Sequence, residues 1–224
     1  MTNIPQLTGP SFGPANGGDP KQLVILLHGL GADGNDLINL APYFAQALPD
    51  ARFLSPDAPF RCDMAPPGFN AGYQWFSLQD RAPQAMLDGA RSARPIIDAF
   101  IDQQLENHGL APKQLALVGF SQGTMMSLFT GLRRPTEIAG ILGYSGLLLG
   151  SDVLAEEITA RPPVTLINGD TDDLIPIETQ APAVDTLKAV HVPVEAHVRP
   201  GLGHGIDPEG IGIGCAFLAQ IFGG

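Results

Sequence analysis

The sequence predicts an α/β fold in a single domain, a mostly parallel sheet with helices on both faces. Three observations carry that prediction. Short, β-rich apolar runs alternate along the chain with longer stretches of helical period. Several of the short runs are apolar at nearly every position, as strands covered on both faces must be. The chain has 224 residues, enough to bury a core without disulfide or metal and close to the size of one domain.

The elements follow in order. Residues 1–20 are rich in Pro, Gly and Asn and read as an irregular N-terminal extension, so residues 21–224 form the domain. Gln22 to Leu27 (QLVILL) reads as a central strand, and Leu37 to Leu48 as a helix. Ala51 to Leu54 is a short strand, and Pro56 to Gly72 is a proline-rich loop. Ala85 to His108 is the longest helical stretch, and Pro95 is expected to kink or divide it. Gln114 to Gly119 is a second buried strand, and Thr124 to Leu132 is a helix stopped near Pro135. Ile138 to Tyr144 and Pro163 to Ile167 are further strands. Glu178 to Val190 reads as helix, Val192 to Val198 as an alternating strand, and Pro208 to Phe222 as the last helix. In a sheet of this kind, ligands sit beyond the carboxyl ends of the strands.

Composition excludes several functions. Hydrophobic residues make up 44% and charged residues 16%, which is globular rather than disordered. The formal charge of −11 repels phosphate backbones and anionic lipid, so no nucleic-acid partner is expected. No apolar run approaches the roughly 18 residues of a membrane span, so no integral membrane association is expected. The N-terminus has neither the basic start nor the apolar core of a signal peptide. Cys62 and Cys215 match no metal or redox spacing and read as free thiols in a reducing cytoplasm.

The central chemical signal is Gly119-Phe120-Ser121-Gln122-Gly123. It lies between an apolar strand and a helical run, the strand–turn–helix setting that presents a serine as nucleophile. The glycines allow a sharp turn where a Cβ would clash, and the helix N-terminus offers free N–H groups to a developing oxyanion. A serine hydroxyl needs a base, and the base needs a carboxylate to orient it. Three histidines follow Ser121. His191 ends a helix, and His197 lies on a strand face with Glu195 and Arg199, opposite Val194, Ala196 and Val198, where it is expected to be solvated. His204 lies in a glycine-rich loop beyond that strand and is the expected base.

The carboxylate should follow the strand VTLI, where Asp170, Asp172 and Asp173 are all available and residue chemistry alone does not choose. Their spacing matches no calcium loop, so no metal is expected. The oxyanion hole needs two backbone donors, one from Gln122 and one from the glycine-rich loop His28 to Gly34. His28 precedes Ser121 in the chain and reads as a structural residue of that loop. The loop carries no nucleotide-binding pattern, so no cofactor is expected.

Six segments in order, LHGLGADG, GYQWFSL, LVGFSQGTMMSL, GYSGLL, NGDTDDLIP and GLGHGI, cover almost the whole chain after Lys21. Together they resemble the α/β-hydrolase branch that contains acyl-protein thioesterases, lysophospholipases and small bacterial carboxylesterases. The resemblance implies an α/β-hydrolase fold without a separate cap domain. It places the acid on Asp172, with Asp173 the alternative, and the oxyanion donors on the backbones of Leu30 and Gln122. The chain departs from the family pattern at Ser77, Asn168 and Asp173.

Phe60, Met64, Phe69, Trp75 and Leu174 are the candidates for apolar lining of the acyl site, walled by Pro56 to Trp75 and Leu147 to Leu149. The activity implied is serine-dependent hydrolysis of small-molecule esters of short to medium chain, lysophospholipids included, without cofactor. Hydrolysis of acyl thioesters is the second reading, and a catalytically inactive binding module is the third. A homodimer is left open.

Overall fold

The computed structural model describes residues 5–64 and 72–223. Seven strands form the main sheet: β1 (Ser11–Phe12), β2 (Gln22–Leu27), β3 (Ala51–Leu54), β6 (Leu115–Phe120), β7 (Gly140–Tyr144), β8 (Val164–Gly169) and β9 (Val194–Arg199). Their spatial order is β1-β3-β2-β6-β7-β8-β9, all parallel except β1, which pairs antiparallel with β3. A two-stranded ribbon, β4 (Phe60–Arg61) with β5 (Tyr73–Gln74), stands apart from it.

Strand alternation splits the core into two layers. In β2, Leu23, Ile25 and Leu27 join one apolar cluster while Val24 and Leu26 join the other. Each layer needs helices to cover it. Helix α1 (Gly34–Leu37), α2 (Ala41–Ala47) and α7 (Pro208–Ile221) supply Leu37, Phe44, Phe217 and Leu218 to one face. Helices α3 (Pro83–His108), α4 (Gln122–Gly131), α5 (Leu154–Glu157) and α6 (Gln180–Ala189) supply Ile97, Met126, Leu154 and Leu187 to the other. Among the described residues, no helix is long and apolar enough to cross a membrane.

Four local expectations are revised. The helix expected over Leu37 to Leu48 is divided by a 3-10 turn at Ile38–Leu40, because Pro42 enters α2 with no N–H to continue the ladder. Of the kink or division expected at Pro95, the division does not occur: α3 runs unbroken from Pro83 to His108. Its ring is on the exposed side, where water can satisfy the freed carbonyl, while Ala93, Ile96 and Ile97 beside it are buried. The segment before residue 21 contributes β1, and the Pro56–Gly72 stretch contributes β4. Each has two residues, too few for any periodicity to show.

On β9, Ala196 and Val198 are exposed and His197 is half-buried, contrary to the alternation expected. β9 is the sheet edge, and α6 covers it only in part; Gln180 Nε2 donates to the His197 carbonyl from that side.

Buried arginines tie α3 to the end of α4. The Arg134 side chain is 4% exposed and pairs with Asp98 at 2.9 Å and Asp102 at 2.5 Å. A buried guanidinium stripped of a partner is costly, whereas a partner in solvent contributes little. Asp98 is 22% exposed and also holds Arg94, while Asp102 is 64% exposed. Asp98→Ala should therefore cost about 2–3 kcal/mol in urea unfolding, and Asp102→Ala under ~1 kcal/mol. Equal effects would contradict this assignment.

Candidate active site

Four loops at the carboxyl ends of β2, β6, β8 and β9 meet at one place. The turn after β6 holds Ser121 at φ 54°, ψ −117°, a conformation that costs a non-glycine residue free energy and needs tight surroundings to persist. Those surroundings come from missing side chains. A Cβ on Gly123 would lie 1.7 Å from the Leu27 carbonyl oxygen, and one on Gly119 would lie 2.4 Å from the Gly123 carbonyl carbon. The absence of both side chains lets α4 start directly against the ends of β2 and β6. Ser121 is the N-cap of α4, yet its side chain makes no capping hydrogen bond, so the hydroxyl is left for other work.

The loops after β8 and β9 bring acid and imidazole together. His204 Nδ1 lies 2.8 Å from Asp172 Oδ2, with the carboxylate fully enclosed and the imidazole 17% exposed. Asp172 Oδ1 accepts from the N–H groups of Leu174 and Ile175, both at 2.9 Å. Burial pushes the Asp172 carboxyl up, but the Ile175, His204 and Leu174 hydrogen bonds outweigh it and hold it below its ordinary value.

The neighbouring carboxylates do other things. Asp170 Oδ1 accepts from Gly201 N–H at 2.6 Å and braces the His204 loop, as does the Thr171 N–H donated to the Leu202 carbonyl. Asp173 is exposed. Because an ionised carboxylate can only accept, the His204 Nδ1 carries the proton and Nε2 keeps its lone pair. The His204 ring packs on Phe120, at 4.9 Å between centroids. Ser121 and His204 both line the same cleft.

Leu30 lines this cleft, and Gln122, which is buried, directly follows the lining residue Ser121. Gln122 is the first residue of α4, where an N–H has no acceptor within the helix. The Ser121 N–H is already donated to the Tyr144 carbonyl, which removes it as a rival donor. His28 is buried in the same loop. Its Nε2 accepts from the Ala58 N–H at 3.0 Å, so Nδ1 carries the proton and donates to the Gly29 carbonyl at 2.7 Å. Burial lowers its pKa below the ordinary 6.5, against smaller upward pulls from the Gly29 bond and Asp57.

The cleft has a volume of about 390 Å³ and is mostly apolar, with Leu30, Met86, Met125, Leu147 and Leu174 among its walls and Asp36 and Arg81 as its charged members. Of the expected lining residues, Leu174 lies on it and is 58% exposed. Phe60 and Met64 are exposed and are not among its described walls. Phe69 lies outside the described residues.

Trp75 is a correction. It is fully buried in the core, with its indole N–H donated to the His28 carbonyl at 2.9 Å. An apolar residue in a loop can pack inward as readily as line a pocket, and only the buried carbonyl opposite its N–H decides. Met86 and Met125 were missed. Met125 lies four residues after Ser121, one helical turn on, which places it on the Ser121 side of α4. Met86 carries no such signal.

A larger open groove of about 670 Å³ lies elsewhere, beside α3. Its Arg91, Arg94 and Arg133 are paired with Asp88, Asp98 and Glu157.

A parallel sheet with a strained serine turn, an imidazole on an enclosed carboxylate and a shared apolar cleft defines the α/β-hydrolase class. Within it, the chain matches the Phospholipase/Carboxylesterase family model over residues 15–221 and belongs to that family; it is a serine hydrolase acting on esters.

It is 33% identical over 171 residues to acyl-protein thioesterase 1 of Kluyveromyces lactis, spanning 70% of this chain and 72% of that protein. It is 28% identical over 214 residues to acyl-protein thioesterase 1 of Gibberella zeae, spanning 88% and 89%. Among solved structures it is similar to esterase PE8, with TM-score 0.90 and 41% identity over 96% of this chain and 99% of that one. SOBER1 of Arabidopsis thaliana, at 24% identity and TM-score 0.78 over 90% and 99%, shares the fold.

Two groups at the site, His28 and Asp172, contribute to the acid response. His28 binds its proton less tightly folded than unfolded, so stability falls as pH drops below the ordinary 6.5 toward the folded value. Asp172 binds its proton less tightly as well, so its contribution holds above the ordinary carboxylate range and is lost as pH falls from that range through the lower folded value. Unfolding free energies measured against pH should lose their first decline in His28→Gln and keep the carboxylate-range decline. An unchanged profile in that variant would remove His28 from this role.

Proposed function

We propose that the protein is a serine carboxylesterase that hydrolyses short- to medium-chain carboxylic esters through an acyl-enzyme on Ser121. The observation that carries this reading is the 2.8 Å contact of His204 Nδ1 with Asp172, which leaves Nε2 available in the cleft that Ser121 shares. Ser121 Oγ attacks the acyl carbonyl carbon while His204 Nε2 takes the hydroxyl proton. Asp172 stays ionised, orients the ring and stabilises the imidazolium. The Leu30 and Gln122 N–H groups hold the oxyanion. Collapse breaks the ester C–O bond, and His204 passes the proton to the departing alcohol. Water then attacks the acyl-enzyme with His204 as base, releasing the carboxylic acid and restoring Ser121. With substrate in place, His204 Nε2 and Ser121 Oγ come within hydrogen-bond reach for the proton transfer.

The apolar cleft of about 390 Å³ supports small neutral acyl groups, toward the lower end of the roughly 300–1,000 Å³ of small-molecule sites. The names of the K. lactis and G. zeae relatives favour acyl thioesters as a second reading. Both reactions pass through the same tetrahedral intermediate.

Ser121→Ala should lower kcat on p-nitrophenyl butyrate by at least ~10³-fold with an unchanged fold, and Asp172→Asn by roughly 10⁴-fold. Substantial turnover by pure, folded Ser121→Ala protein would refute the nucleophile. Matched oxygen esters and thioesters over an acyl-chain series decide between the readings. A higher kcat/KM on oxygen esters of short to medium chain is expected, and a thioester preference would favour the second.

A further inference from the structure

The buried His28, the Gly72–Leu78 segment and the side chain of Gln122 have no part in the bond-making steps, yet they form one hydrogen-bonded chain. It begins at one of the oxyanion donors proposed above and ends at the other. Gln122 Oε1 accepts from the Trp75 backbone N–H at 3.0 Å, and Gln122 Nε2 donates to the Phe76 carbonyl at 2.7 Å. The Trp75 indole N–H donates to the His28 carbonyl at 2.9 Å. The His28 ring donates from Nδ1 to the Gly29 carbonyl at 2.7 Å and is held from behind by the Ala58 N–H at 3.0 Å. Gln122, Trp75 and His28 are all 0% exposed.

The last link is covalent. The Gly29 carbonyl and the Leu30 N–H belong to one peptide unit, and that unit is planar. A ring that fixes the carbonyl therefore fixes the direction of the N–H on its other side. At the opposite end, the side chain that clamps Trp75 and Phe76 belongs to the residue whose own N–H is the second donor.

We infer that His28, Trp75 and the Gln122 side chain are positioning residues that set the spacing and direction of the Leu30 and Gln122 N–H groups for the tetrahedral oxyanion. This rests on the esterase reading above. Being buried, the chain is stiff where a solvated loop would yield, and an unmade bond within it leaves a desolvated polar group. Such a device acts on the transition state, because the oxyanion needs both donors at once and a ground-state ester does not.

Trp75→Phe removes the indole donor and keeps an aromatic ring. It should lower kcat on p-nitrophenyl butyrate about 10- to 100-fold, with KM within about twofold. The affinity for butylboronic acid, which forms a tetrahedral adduct on the serine, should fall by the same factor as kcat/KM. Gln122→Met keeps the backbone donor and should act on the same step. Combined with Trp75→Phe it should cost little more than the larger single loss, because one chain is already broken.

Trp75 is the only tryptophan, so wild-type protein reports directly through one indole N–H resonance. That resonance should shift on adding butylboronic acid and exchange with solvent at least ~10-fold more slowly. Unchanged kcat in folded Trp75→Phe would overturn the inference. So would a loss confined to KM, boronate affinity that does not follow kcat/KM, or an indole resonance indifferent to the adduct. Wild-type turnover that survives Ser121→Ala would instead overturn the esterase reading itself.

Discussion

The close approach of the α4 N-terminus to the end of β2 is the constraint on which the site depends. Without side chains at Gly119 and Gly123, the serine turn sits directly against Leu27 and His28. That contact places Ser121 beside the glycine-rich loop, forces its backbone into a strained conformation, and leaves its hydroxyl uncapped. Any Cβ at Gly123 would run into the Leu27 and His28 carbonyls and push the serine turn away from the glycine-rich loop. Strain at Ser121 persists because two strands, a helix and the Tyr144 carbonyl hold it from all sides.

Around that turn, polar groups divide into two sorts by their degree of satisfaction. Asp172 is enclosed and uses both oxygens, one on two backbone N–H groups and one on His204. Its ionised form is therefore favoured despite burial. His28 is enclosed, and burial favours its neutral form against the upward pull of its bond to the Gly29 carbonyl. The carboxylates and arginines beside α3 are paired with one another, away from the residues that line the cleft. The same chemical groups thus play opposite parts according to whether hydrogen bonds serve the charged or the neutral state.

Much of the site was legible in the chain because its determinants are local. The glycines flanking Ser121 and the strand–helix switch around it are features of adjacent residues. His204 is the only histidine after Ser121 in a glycine-rich loop beyond a strand, and it is the one that meets the carboxylate. The choice among Asp170, Asp172 and Asp173 was not legible from residue chemistry, since three carboxylates within four positions look alike. The N–H groups of Leu174 and Ile175 distinguish them by where they point. Trp75 was misread for a related reason. Its decisive partner, the His28 carbonyl, is 47 residues away in the chain.

By itself the sequence determined the layered α/β architecture, the positions of its main strands along the chain and the residue types of the loops that follow them, because period, glycine spacing and proline placement act over a few residues. Tertiary structure alone decided which carboxylate meets the imidazole, which apolar side chains line the cleft and how the buried chain from Gln122 to Gly29 is connected. Those outcomes depend on directions of hydrogen bonds between segments distant along the chain, and direction is set only when the loops pack against one another.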